Sequence, residues 1–194
     1  MQGGNHLFNN EEDLILVEEI LKGKIQSFEV LVNKYELTIL KFIYSMLRDK
    51  ETAEDVTQEV FITVYNKLDT FDTKYKFYSW IMRISKNKAI DYVRKTSKVN
   101  EYSIDEVFNL SSKESSPEEI VEYKETKEKI QEYINSLENI DRQIIIMRYL
   151  NNVTFNDISI ILSISESSVK RRYYKIKEQF KKYIAVERGC EYEL

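Results

Sequence analysis

FEVLVNKYELTILKFIYSMLR, residues 28–48, places apolar side chains at Phe28, Leu31, Val32, Tyr35, Ile39, Phe42, Ile43, Met46 and Leu47. Steps of three and four bring all of them to one side of a helix, so the stretch reads as a long helix with a continuous buried stripe, ending near Arg48. The chain of 194 residues holds four glycines and one proline, too few turn-formers for a many-stranded β fold. An all-α fold is therefore expected.

Outward from this helix, Gly23 separates it from a shorter one over Leu14–Leu21. Downstream, Thr52 is a candidate cap with Asp55 three positions on, and Val56, Val60, Phe61, Val64, Tyr65 and Leu68 supply the buried stripe of the next helix. Residues 69–77 read as an aromatic, basic loop. A further helix is expected from Ser79 to about Lys95, with Trp80, Ile81, Ile84 and Val93 available for the core, which closes a first domain over residues 1–96. Residues 97–116 lose periodicity and gather Ser, Asn, Lys and Glu, the composition of a flexible acidic linker. Ser116 and Pro117 then fit the cap and first position of a new helix, opening a second domain over 117–194. Ile130, Tyr133, Ile134 and Leu137 mark its first helix, and Ile140, Ile144 and Met147 its second. Thr154 and Asp157 bracket the start of a helix over Phe155–Leu162, and SIS makes a tight connection. Ser165 caps a last helix striped by Val169, Tyr173, Ile176, Phe180 and Ile184. Two helices joined by so short a turn predict a helix-turn-helix.

Composition narrows the chemistry. With 42% hydrophobic and 32% charged residues, the chain is not disordered throughout. The single cysteine, Cys190, allows no intrachain disulfide and no multi-cysteine metal site, and the single histidine, His6, lies in a polar amino-terminal stretch. No glycine-rich phosphate loop is present, and nothing basic or nucleophilic accompanies the carboxylates of Asp55 and Glu59. A catalytic site, a metal site and a cofactor are accordingly not expected. No apolar run approaches the roughly 20 residues of a membrane span, and the first residues lack the basic and apolar parts of a signal peptide, so none is expected. A cytoplasmic protein without membrane insertion is expected.

The net charge of -4 hides an uneven distribution. Lys74, Lys76, Arg83, Lys86, Lys88, Arg94, Lys95 and Lys98 face one acid, Asp91. Lys170, Arg171, Arg172, Lys175, Lys177, Lys181 and Lys182 face one acid, Glu178, whereas residues 101–128 hold nine acids and three bases. Two basic patches on two domains suit two stretches of one nucleic acid, through counterion release; two solvated helix faces are the alternative. Lys170, Arg171 and Lys175 lie near the start of the second helix of the helix-turn-helix, where side chains reach base edges, and Ser167 and Ser168 suit phosphates. Phe71, Tyr75, Phe77, Tyr78 and Trp80 interleave with the other cluster. Such rings stack on unpaired bases or pack in a core; packing suits Phe77 and Trp80, and the choice for Tyr75 and Tyr78 stays open. On the helix after Thr52, Asp55, Gln58 and Glu59 lie away from the Val56, Val60 and Val64 stripe. That acidic face would repel DNA and points to solvent or to a basic protein surface.

These residues resemble the sigma-70 family of bacterial RNA polymerase factors, of the small extracytoplasmic-function type. AEDVTQEVFITVY, Ala53–Tyr65, is similar to the family's core-polymerase-binding helix, and FYSWIMRISKNKAIDYVRK, Phe77–Lys95, to its promoter-melting segment. INSLENIDRQIIIMRYLNNVTFNDISIILSISESSVKRR, Ile134–Arg172, is similar to the domain that reads the upstream promoter element. The resemblance implies that Asp55, Gln58 and Glu59 contact the clamp helices of the polymerase beta-prime subunit. It implies that loop residues Thr70–Tyr78, Tyr75 and Tyr78 among them, surround a base flipped from melted promoter DNA. Asn87, Lys88, Asp91, Arg94 and Lys95 would line the adjoining strand or duplex. Ser167, Ser168, Lys170, Arg171, Arg172 and Lys175 would face the upstream element. It also implies core RNA polymerase and promoter DNA, duplex and melted, as partners, and family members often have an anti-sigma factor. Ser163 stands where the family usually has glycine in the turn, and Arg171 where serine is frequent. A helix-turn-helix regulator that works without polymerase and a helical adaptor that meets only proteins are the rival readings.

Overall fold

The structure, a computed structural model, describes residues 10–96, 129–150 and 153–187. These form α1 (Asn10–Leu21), α2 (Ile25–Leu47), α3 (Lys50–Lys67), α4 (Phe77–Thr96), α5 (residues 129–136), α6 (Asn139–Leu150), α7 (Phe155–Leu162) and α8 (Glu166–Glu187). A single 3-10 turn, Leu68–Thr70, follows α3, and there is no strand among the described residues. The expected linker, the Ser116–Pro117 helix start, His6, Lys98 and Cys190 lie outside the described residues.

Helices α1 to α4 form the first unit. Gly23 takes φ +91° between α1 and α2, a conformation that a Cβ would strain. Leu31, Tyr35, Ile39, Phe42 and Ile43 of the α2 stripe are buried, each burial being worth about 1.5–3 kcal/mol for an apolar side chain of this size. Asp13 of α1 is buried as well, held by Lys34 Nζ at 2.7 Å and by the Tyr35 hydroxyl, which donates to it. Arg48 ends α2 in the left-handed conformation, φ 59°, its N–H donating to the Tyr44 carbonyl at 2.8 Å.

The sequence expectations need local correction. Asp49, not Thr52, caps α3: its carboxylate accepts the Thr52 N–H at 2.8 Å, so the helix starts three residues earlier. Tyr65 lies at the edge of the α3 stripe and is 48% exposed, its ring edge-on to Phe28 at 5.1 Å. Helix α4 begins at Phe77 rather than Ser79, because the Asn10 side chain accepts the Phe77 N–H at 3.0 Å and the Phe77 ring is buried against Tyr35, Phe71 and Trp80. Val93 stays largely exposed near the carboxy-terminal end of α4.

Helices α5 to α8 form the second unit, and its helix-turn-helix follows the predicted boundaries. Thr154 Oγ1 accepts the Asp157 N–H at 3.1 Å and donates to Asp157 Oδ2 at 2.7 Å, a reciprocal cap on α7. Ser163 turns the chain with φ 59°, ψ 43°, and Ser165 Oγ accepts the Ser168 N–H at 3.2 Å at the start of α8. Arg148 fixes the turn before α7, donating to the Val153 carbonyl at 3.0 Å and lying 4.7 Å above the Phe155 ring.

The two helical units do not stand apart. Ile144, Met147, Ile158 and Ile161 join one apolar cluster with the core of α1 to α4, and α7 packs on α4 while α6 packs on α2. Arg142, buried at 5% exposure, donates to the Ser45 carbonyl of α2 at 3.1 Å and to the carbonyls of Ile134, Asn135 and Leu137. Arg48 reaches the Asn135 carbonyl at 2.7 Å.

Candidate protein and nucleic-acid interfaces

Three surfaces carry the residues singled out by the sequence. On α3, Asp55, Gln58 and Glu59 are exposed together, as helical spacing requires. Ile62, one turn on, is 61% exposed on the same side. Sequence reasoning passed over it; the signal was its position outside the Val56, Val60 and Val64 stripe. An apolar side chain amid carboxylates gives this face the chemistry of a protein contact rather than a phosphate contact.

On α4 and the loop before it, the structure divides the predicted residues. Tyr75 is 56% exposed in the loop, available to a stacked ring. Tyr78 is buried beside Tyr35, centroids 6.2 Å apart, and serves the core in this arrangement. Phe77 and Trp80 pack as expected. Asn87, Asp91, Arg94 and Lys95 are exposed along α4, whereas Lys88 turns to α3 and pairs with Glu59 at 3.1 Å. That ion pair joins the acidic face to the basic one.

On α8, Ser167, Lys170, Arg171 and Lys175 are exposed, and Ser168 is half-buried at the cap. Lys170 pairs with Glu166 at 2.7 Å across one turn. Arg172 is the exception. Its guanidinium meets Asp141 of α6 at 2.7 Å and Glu138 at 3.7 Å, bracing α8 against α6, and the Asp141 carboxylate holds it above the ordinary arginine range. Tyr174, 56% exposed between the basic side chains, was not foreseen; it reads as one more aromatic in a Tyr-rich stretch.

An apolar hollow of about 310 Å³ lies among α5, α6 and α8, lined by Tyr133, Leu137, Ile146, Tyr149 and Phe180 among others. Such a lining has no charged group for a phosphate except Lys177 at its rim. Among the described residues no group of three His, Cys, Asp or Glu could hold a metal ion, and no helix is long and apolar enough to cross a membrane.

Comparison with known proteins gives these surfaces a family. Residues 31–99 match the family model for sigma-70 region 2, and residues 127–180 that for sigma-70 region 4. The ECF RNA polymerase sigma factor SigW of Bacillus subtilis (strain 168) is 31% identical over 178 residues, covering 87% of this chain and 94% of that protein. SigM of the same organism is 30% identical over 76% of this chain and 88% of its own length. The ECF RNA polymerase sigma-E factor of Escherichia coli (strain K12) is 29% identical over 86% and 91%. Two solved structures share the fold. CnrH, in complex with the cytosolic domain of CnrY, has a TM-score of 0.65 and 18% identity, covering 90% of this chain and 98% of that one. The sigma factor RpoE, in complex with the anti-sigma factor NepR from Bartonella quintana, has a TM-score of 0.66 and 17% identity over 83% and 98%. The chain belongs to the extracytoplasmic-function sigma factors of the sigma-70 family, alternative factors that direct transcription initiation with RNA polymerase.

Proposed function

We propose that this factor docks through α3, with Asp55, Gln58, Glu59 and Ile62 against the beta-prime clamp helices of core polymerase, and presents α4 and α8 to promoter DNA. The exposure of Ile62 in the midst of the acidic face is the observation that carries this reading. The loop before α4, through the exposed ring of Tyr75, captures a base extruded from the melted element, and Asn87, Asp91, Arg94 and Lys95 follow the adjoining strand. Lys88 joins them once its ion pair with Glu59 opens. In the second unit, Arg171 addresses base edges, while Ser167, Ser168, Lys170 and Lys175 position the helix on phosphates. The factor is non-catalytic and works where the polymerase does, in the cytoplasm. By likeness to the Bartonella RpoE, solved in complex with the anti-sigma factor NepR, an anti-sigma protein is a further partner of this chain.

Magnitudes require the polymerase. Opening about ten base pairs loses stacking of roughly 1.4 kcal/mol per step, on the order of 14 kcal/mol, and each captured base returns about 1 to 3 kcal/mol. One loop of this chain cannot supply the difference. The test is a pull-down of purified core polymerase with the Gln58→Ala, Glu59→Lys double variant. A loss of affinity of about tenfold or more is expected, with circular dichroism unchanged; undiminished affinity would remove α3 from the interface.

A further inference from the structure

Helix α4 starts without a cap of its own. The residue before it, Lys76, has no acceptor in its side chain, and its ammonium is turned to Asp157 at 2.7 Å. The first N–H groups of α4 therefore need an oxygen from elsewhere. Asn10, 67 residues before Phe77 at the start of α1, brings one: its Oδ1 accepts the Phe77 N–H at 3.0 Å. Asn10 is itself held in place. One turn on, the buried carboxylate of Asp13 takes Lys34 Nζ at 2.7 Å and the Tyr35 hydroxyl, which fixes α1 on α2. The Tyr35 ring then packs on Phe77 and Tyr78, with centroids 5.7 and 6.2 Å away. The cap and the carboxylate that anchors it converge on the first turn of α4.

That turn is also where the loop carrying Tyr75 ends. At the other end of the loop Phe71 is buried, its ring edge-on to Phe77 at 5.4 Å. Between these two rings the chain turns around Asp72, whose side chain accepts the Lys74 N–H and whose carbonyl accepts the Tyr75 N–H, each at 3.0 Å. Tyr75 stays exposed two positions before Phe77. Its ring is placed by Phe71 and Asp72 on one side and by the capped Phe77 on the other.

We propose that Asn10 is a positioning residue for base capture: by capping α4 from another helix, it holds the loop in the form that presents Tyr75 to an extruded base. This rests on the base-capture role given to Tyr75 above. Without the cap the first turn of α4 frays and fewer molecules hold Tyr75 in place. Apparent affinity for the extruded base falls with that share, by about three- to tenfold for a cap of ordinary strength. Asn10 belongs to neither α3 nor α8, so polymerase docking and contact with the upstream element do not depend on it.

The full chain is compared as wild type, Asn10→Ala, Asn10→Asp, Tyr75→Ala and the Asn10→Ala, Tyr75→Ala double variant. Each is added in limiting amount to purified core polymerase on fragmented genomic DNA, and melting is read as permanganate reactivity of unpaired thymines near the transcript starts. Asn10→Ala should bind polymerase as wild type does yet melt less DNA by the factor given above. Asn10→Asp should restore melting, since a carboxylate accepts the same N–H. In the Tyr75→Ala background, which melts less on its own, Asn10→Ala should cause no further loss, whereas a merely structural Asn10 would lower melting there too. Undiminished melting by Asn10→Ala beside a loss in Tyr75→Ala would overturn the positioning role and leave base capture standing. So would a loss that Asn10→Asp does not repair, or a further loss in the double variant. Undiminished melting by Tyr75→Ala would overturn base capture, and the role of Asn10 with it.

Discussion

The guanidinium of Arg142 donates to the carbonyl of Ser45, 97 residues earlier in the chain, at 3.1 Å. Its other donors reach the carbonyls of Ile134, Asn135 and Leu137, so a buried cation is satisfied by backbone oxygens alone. Burial first, and then the charge of Arg48, push this group down to about 10. Below that value it is protonated both folded and unfolded, so it adds no pH dependence near neutrality. Arg142→Ala takes the side-chain donor from the buried Ser45 carbonyl and from the Leu137 carbonyl and should cost about 1–3 kcal/mol in urea unfolding. Arg142→Lys should not restore it, because an ammonium lacks the planar fork. Wild-type stability of either variant would contradict this role.

Asp49 makes a smaller, pH-dependent contribution. Its hydrogen bonds with Thr52 hold the carboxyl below its ordinary value of 3.8. A depressed carboxylate stabilises fully above the unfolded value, and that contribution disappears as pH falls through the lower folded value. Asp49→Ala should cost about 1 kcal/mol at neutral pH. The gap between variant and wild type should close below pH 3.8, as followed by thermal unfolding across an acid series.

Ser163 occupies a left-handed position that glycine takes without a Cβ penalty. Ser163→Gly should stabilise the second unit by about 1 kcal/mol, raising the midpoint of thermal unfolding. A lowered midpoint would mean that the Ser163 hydroxyl, rather than the turn, governs this position.

Arg171 and Arg172 are neighbours with opposite fates. Arg172 is tied to Asp141, whereas Arg171 is exposed on α8. Arg172→Ala should lower thermal stability and weaken promoter use only as far as folding is lost. Arg171→Ala should leave stability unchanged and alter preference within the upstream element, by about 1–3 kcal/mol at one base pair. Lys181→Ala, by contrast, should weaken binding evenly across sequences. A promoter-library readout that failed to separate Arg171→Ala from Lys181→Ala would count against the placement of the recognition helix.

Much of this was legible in the residues because the signals were local. The α2 stripe, the Thr154–Asp157 cap and the Ser165 cap each depend on neighbours within one or two helical turns, and the structure repeats them. Thr52 misled because its spacing to Asp55 imitates a capping pattern, while the chain reverses earlier, at Arg48, and leaves Asp49 at the helix start. Tyr78 turned inward through contact with Tyr35, a residue on another helix that no local pattern indicates. The docking of α7 on α4 was hidden for the same reason. Its polar ends, Lys76, Lys86 and Asp157, read in sequence as solvated charge and helix cap, and only the tertiary arrangement pairs them.

Mapping transcript starts from fragmented genomic DNA, with core polymerase free of other sigma factors and the purified chain added, bears most directly on the assignment. Discrete starts should appear that share an upstream and a downstream element, and they should vanish with the Gln58→Ala, Glu59→Lys variant. Starts that are absent, or that are the same with and without the chain, would contradict it.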